Sequence, residues 1–245
     1  MDLAALGARI RDRRAKQNLR QADLASALRV SPQAVSKWER GENAPDISIL
    51  VGLARLLDVS VEWLLDGGPA ERETFEAVVL ASAIEGYAER STQLGPRALA
   101  AWVNGIHTAV TEAVRHFDGV PVKYVGDGSL GFFTGAEAAA RAVSAALRAR
   151  ALVDHAGLSL ALDRGEVFVG TIGHPDYAAL DVLGTPVNTA FLILRHVGQT
   201  CPGRVAITEQ VRARLPESIA VEPRGHVAIA GAESPVSLFE PRARA

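Results

Sequence analysis

The chain has 245 residues, 48% of them hydrophobic, enough for one large core or two modest ones, which excludes wholesale disorder. The net charge of −2 hides an uneven distribution: nine Lys/Arg stand against three Asp/Glu between Arg9 and Arg40, a local excess of six positive charges that suits a phosphate backbone. A single cysteine, Cys201, excludes an internal disulfide framework and a multi-cysteine zinc site. No early apolar run resembles a signal peptide and none approaches the roughly 20 residues of a membrane span, so a cytoplasmic chain with no membrane partner is expected.

Leu3, Leu6 and Ile10 repeat at helical spacing up to Lys16, and Asn18 breaks the pattern. A second short helix turns Leu24, Ala25 and Leu28 inward. After a tight turn, Ser31 is a good N-cap and Pro32 sits where a missing N–H costs nothing. In this third helix Val35 and Trp38 point inward. Gln33, Ser36, Lys37 and Arg40 fall at i, i+3, i+4 and i+7, a polar stripe on the opposite side, and Gly41 stops the helix. Such a stripe suits a DNA major groove, because Gln and Arg present paired groups to base edges and Lys reaches phosphate. Asp46 caps a fourth helix and Ser60 a fifth, with Val61, Trp63 and Leu64 inward. The second and third helices have helix-turn-helix spacing.

The stretch IRDRRAKQNLRQADLASALRVSPQAVSKWERGENAPDISILVGLARLLDVSVEWLL resembles the Xre-type helix-turn-helix domain of Cro and lambda-like repressors, over nearly all of residues 5–66. The resemblance implies that Gln21 contacts backbone phosphate, helped by its helix N-terminus. It implies that Gln33, Ala34, Ser36 and Lys37 face bases, that Arg40 faces the adjacent backbone, and that Arg14 pairs structurally with Glu39.

Gly67-Gly68-Pro69 and the polar residues after it read as a short linker. Beyond it the pattern predicts a strand over 75–82, a helix over 97–117, and strands over 120–124 and 129–133 joined through Gly126-Asp127-Gly128. An Ala-rich helix over 136–151 follows. Leu158, Leu160 and Leu162 alternate as a strand, which is expected to turn at Arg164-Gly165 into a partner strand carrying Val167 and Val169. A helix over 187–197, a strand over 204–208, a short helix and strands near 227–230 and 236–239 complete the pattern. Asp176 and Tyr177 read as loop residues, and the six histidines lack metal-ligand spacing.

VVLASAIEGYAERS, GVPVKYVGDGSLGFF, LALDRGEVFVGTIG and YAALDVLGTPVNTAFLILR together resemble the class III nucleotide cyclase domain over about residues 75–240. By that resemblance Lys123 and Asp181 recognise a purine edge, favouring adenine, and Asn188 orients the ribose. Asp127 is one of two carboxylates that hold a pair of magnesium or manganese ions on the bound purine nucleotide. Two positions depart from the pattern. The first metal carboxylate falls at Ala83, which has no oxygen to donate, and the transition-state arginine falls at Leu192. Glu85, two residues on from Ala83, reads more simply as a solvated loop carboxylate, and Arg195, three residues beyond Leu192 and nearly on the same helix face, is the one candidate substitute for the missing cation.

The expected architecture is an all-α five-helix helix-turn-helix bundle over residues 1–66, a linker over 67–74, and an α+β, ferredoxin-like cyclase-type domain over 75–245 with helices packed on a mixed sheet. The expected function is a homodimeric DNA-binding transcriptional regulator on a palindromic double-stranded operator. Its second domain would be catalytically inactive and serve dimerisation and purine-nucleotide sensing. Two alternatives are an active adenylate-type cyclase tethered or autoregulated by its helix-turn-helix, and a ligand-free structural dimerisation module.

Overall fold

The computed structural model describes residues 2–67, 74–153, 157–174 and 179–242. Linker residues 68–73, His155, Asp176 and Tyr177 lie outside the described residues. Backbone contacts divide the chain into two compact units, one of Met1–Phe75, Thr134–Ala136 and Val167–Leu183, the other of Glu76–Phe133, Glu137–Glu166 and Gly184–Ala245.

In the first unit five helices follow one another: α1 (Leu3–Lys16), α2 (Gln21–Leu28), α3 (Pro32–Glu39), α4 (Ile47–Leu56) and α5 (Val61–Asp66). Four of them start on short polar side chains that satisfy an otherwise unpaired first-turn amide. Asp2 accepts from the Ala5 amide at 3.0 Å, Ser31 from Ala34 at 3.1 Å, Asp46 from Ser48 at 3.1 Å and Ser60 from Trp63 at 3.0 Å. Leu6, Ile10, Leu24, Val35, Leu50, Leu53, Leu57 and Leu64 are almost wholly buried, and Trp38 is buried among them, while Val61 and Trp63 are only half-buried. Gly7 sets how closely α1 meets α3: a Cβ there would stand 2.3 Å from the Trp38 carbonyl oxygen, so any larger residue would push the third helix away.

The remaining elements are β1 (Thr74–Ile84), α6 (Tyr87–Gln93), α7 (Pro96–His116), β2 (Val120–Val125), β3 (Gly128–Phe133), α8 (Ala138–Leu152), β4 (Leu158–Ile172), β5 (Ala179–Leu183), α9 (Thr185–Thr200), β6 (Val205–Thr208), α10 (Glu209–Arg212), β7 (Val221–Val227) and β8 (Val236–Pro241). The strands lie in the order β2-β3-β1-β4-β6-β8-β7, with β5 paired to β4. The β4–β6 pair is parallel, and the β1–β3, β2–β3, β4–β5, β6–β8 and β7–β8 pairs are antiparallel, so the sheet is mixed as expected. Ile106, Val110 and Ala113 of α7 and the alanines of α8 pack with Leu158, Leu160 and Leu162 in one core. Small side chains on α8 let a helix lie close to its neighbours without leaving voids.

Three elements differ from the sequence pattern. No turn occurs at Arg164-Gly165: β4 runs straight through both residues for 15 positions, and its hairpin partner is β5. Gly165 is there for space, because a Cβ on it would stand 3.3 Å from the ring of Pro186 at the start of α9. Helix α6 was not visible in the pattern because it buries no residue and so carries no apolar stripe. The penultimate strand is β7, at 221–227 rather than 227–230. Its run of Glu222, Pro223, Arg224 and Gly225 reads as a loop, yet it pairs with β8 through a register shift between Pro223 and Gly225. By backbone contacts the outer half of β4 and all of β5 group with the N-terminal helices, where β5 neighbours α4.

Candidate functional site

The outer face of α3 is held from behind by one carboxylate. Glu39, with its side chain 3% exposed, accepts from Arg14 Nε (2.5 Å) and Nη2 (2.8 Å) on α1 and from Gln21 Nε2 (2.8 Å) at the start of α2. Arg14 also donates to the Leu19 carbonyl at 2.8 Å, so three helices and a turn meet at this point. Burial alone would push the Glu39 carboxyl up, but the hydrogen bonds from Arg14 and Gln21 and the Arg14 charge outweigh it and hold it below the usual carboxylate range. The expected Arg14–Glu39 pair is therefore present. Gln21 is committed in part: one amide N–H is spent on Glu39, and the amide carries a second.

On the opposite side Gln33, Lys37 and Arg40 are exposed, and Ala34 and Ser36 half-buried. Arg40 donates to Ser36 Oγ at 2.5 Å and to Glu42 at 2.6 Å, which lays its side chain along the helix. The excess of basic residues in this region has a partly internal use that sequence reasoning missed. Arg9 donates to the Leu64 and Leu65 carbonyls at 2.8 and 2.7 Å, and Arg13 to those of Leu57 and Asp58 at 3.1 and 3.0 Å, capping the ends of α5 and α4.

In the second unit the β2–β3 hairpin carries Lys123 and, at its turn, Asp127, both half-buried. Its turn is held from two sides. The Ile84 amide donates to the Asp127 carbonyl at 3.0 Å, and His107, buried on α7, meets the Gly126 carbonyl through Nε2 at 3.2 Å while its ring lies 4.7 Å from that of Tyr124. The register pairs Ala83 with Gly128, so the position expected for the first metal carboxylate stands directly beside the Asp127 turn and carries a methyl group. Glu85 does not replace it. Its amide donates to the Gly157 carbonyl at 2.5 Å, and its carboxylate accepts from Ser159 and pairs with Arg204. Among the described residues no three His, Cys, Asp or Glu side chains gather as a metal-ligand group. The donor set thus does not fit a pair of divalent ions, which need carboxylates to share.

Asn188, Leu192 and Arg195 lie at i, i+4 and i+7 on α9, with Asn188 and Arg195 exposed and Leu192 half-buried. A buried carboxylate that sequence reasoning did not single out anchors this helix. Asp163 on β4 accepts from Thr208 Oγ1 at 2.5 Å and from Thr189, the neighbour of Asn188. Its burial pushes the Asp163 carboxyl up, against the hydrogen bonds it receives. Asp181 belongs to the first unit, on β5 opposite Gly170, and accepts from the Val182 amide at 2.7 Å. Cys201 is buried and its thiol pushed up by burial, as befits an unreactive thiol. No helix among the described residues is long and apolar enough to cross a membrane.

Residues 10–64 match the helix-turn-helix family model, and the remainder has the fold of nucleotide cyclase domains. The N-terminal region is 42% identical over 67 residues to the repressor protein C2 of Salmonella phage P22, covering 27% of this chain and 31% of that protein. It is 39% identical over 69 residues to the transcriptional regulator DicA of Escherichia coli, covering 28% and 51%. The chain thus spans a third to a half of the length of these curated relatives. Among solved structures, the adenylyl cyclase CyaB from P. aeruginosa superposes with a TM-score of 0.62 at 21% identity, over 71% of this chain and 98% of that one. The guanylate cyclase domain of RhGC from Catenaria anguillulae, solved with GTP, gives a TM-score of 0.64 at 18% identity, over 71% and 100%. At these identities the likeness is one of fold.

The Glu39 cluster makes stability depend on pH in a stated direction. Its folded pKa lies below the unfolded value of about 4.3, so the contribution is complete above that value and is lost as the pH falls through the lower, folded one. Urea unfolding of the full chain followed from pH 7 downward is expected to show this acid loss. Glu39→Gln should remove it and lower stability by about 1–3 kcal/mol at pH 7, since the half-buried Arg14 is left without its charge partner.

Proposed function

We propose that the protein is a DNA-binding transcriptional regulator that acts as a dimer, and that its cyclase-fold region has exchanged turnover for dimerisation and purine-nucleotide sensing. The observation that carries this reading is a contrast. The α3 face, with Gln33, Lys37 and Arg40 outward, is complete and rigidly backed. The phosphoryl-transfer centre, with methyl at 83 and isobutyl at 192, is not. An aliphatic group cannot stabilise developing phosphoryl charge, and loss of such a cation costs about three to five orders of magnitude in rate.

Gln33, Ser36 and Lys37 would meet base edges, and Gln21 and Arg40 the flanking phosphates. The similarity to repressor proteins supports this assignment. Lys123, Asp181 and Asn188 would bind the base and ribose of a purine nucleotide, with Asp127 at its phosphates. Tyr124 and Val125, beside Asp127, are 54% and 53% exposed, apolar surface of the kind a second subunit covers. Because β5 carries Asp181 and neighbours α4, an occupant at Asp181 would bear on the helix that follows the reading helix. The effect on DNA binding is limited to the difference in ligand affinity between the two helix placements.

Gln33→Ala or Lys37→Ala is expected to weaken binding to the selected operator while leaving the melting temperature unchanged, as read by fluorescence anisotropy and calorimetry. Unfolding of either variant would mean that the stripe is packed and not a reading face. Incubation of the protein with ATP or GTP and Mg²⁺ or Mn²⁺, read by mass spectrometry, is expected to give no cyclic nucleotide above background. Cyclic product would establish the rival reading, a working cyclase carrying a helix-turn-helix. Absence of thermal stabilisation by any nucleotide in a panel would leave the region as a ligand-free dimerisation module.

A further inference from the structure

Away from the residues discussed above, α8 and the segment after α10 flank an open groove of about 840 Å³. That volume falls in the range of small-molecule sites, roughly 300–1,000 Å³. Its floor is apolar. Val143 and Leu147 of α8 and Leu215 and Ile219 of the facing segment line it, and all but Val143 are left partly exposed although they rest against the main core. Ala140, Val143 and Leu147 recur at spacings of three and four, so one wall is a single helix face about 10 Å long.

Charged side chains border this floor. Arg214 and Arg242 both line the groove and are exposed, and Arg242 also pairs with Glu222 outside it. Glu137, next to the first residue of α8, is the one carboxylate in the lining, and Ser144 and Ser218 add hydroxyls. Two guanidiniums beside an apolar trough match a ligand with a carboxylate head and an aliphatic body, because the planar fork of an arginine takes a carboxylate in paired hydrogen bonds. A sugar or base would spread polar edges over a mostly apolar floor, where, among the described residues, Ser144 and Ser218 alone add hydroxyl partners.

The geometry points to a binding site for an amphipathic monocarboxylate of the medium-chain fatty-acid class, its head at Arg214 and Arg242 and its chain along Leu147, Leu215 and Ile219. This site is independent of the DNA and nucleotide readings above.

The test is titration calorimetry of the full chain with decanoate, decanol and decyltrimethylammonium, each below its micellar concentration. Decanoate is expected to bind saturably. Decanol should bind about tenfold more weakly for want of a charge-assisted hydrogen bond, and the cation no better than decanol. Ser144→Trp, which fills the groove, should abolish decanoate binding, and Arg214→Glu should weaken it about tenfold for the same reason. Arg214 is exposed, so its variant carries the test if Ser144→Trp does not fold. No saturable heat with decanoate, equal binding of the ammonium compound, or unchanged affinity in folded Arg214→Glu would overturn the assignment.

Discussion

Glu39 closes α3, yet its carboxylate is turned back into the bundle, where Arg14 and Gln21 take both oxygens. Everything proposed for the reading face depends on that arrangement. A helix of eight residues has little stability of its own. It keeps one orientation because Val35 and Trp38 are buried on one side and Glu39 is tied at its end. The charged pair is expensive to desolvate and adds little net stability. What it adds is direction, since a guanidinium fork and a carboxylate meet in one geometry only. The outward residues Gln33 and Lys37 are then presented at a fixed angle.

The cyclase-fold region is braced just as firmly, around the β2–β3 turn and the start of α9. The β2–β3 turn is pinned by Ile84 and His107, and α9 is anchored through Thr189 to the buried Asp163. Such precise support is what a two-metal site needs, but the position beside the turn is Ala83. Glu85 is engaged by Ser159 and Arg204, so the loop after β1 is closed by an ion pair.

Much of this was legible in the sequence, and what was not has a common physical cause. Helix starts were readable because Ser31, Asp46 and Ser60 act on amides two or three residues away. The roles of Arg9 and Arg13 were not, because the carbonyls they cap lie 44 to 56 residues on and nothing local marks them. Gly165 looked like a turn, whereas its meaning is the closeness of Pro186. In β7, alternating Glu222 and Arg224 hid a strand whose partners, Glu240 and Arg242, are reached only once the sheet forms. Of the site residues, Asp127 and the methyl group at 83 came from sequence likeness, and the register pairs Ala83 with Gly128, the residue after Asp127. Asp163 left no trace, because a lone Asp in an apolar strand has no pattern to betray its hydrogen bonds.

The central claim is that two copies of α3 are set on DNA by the pairing of two chains. Selection from a random duplex library with the purified full chain at low salt tests it most directly, with the mass of the bound complex measured in parallel. The account predicts an inverted repeat whose half-site centres lie about 10 base pairs apart, one helical turn, bound by two chains. A single unrepeated site bound by one chain, or no enrichment at all, would contradict it.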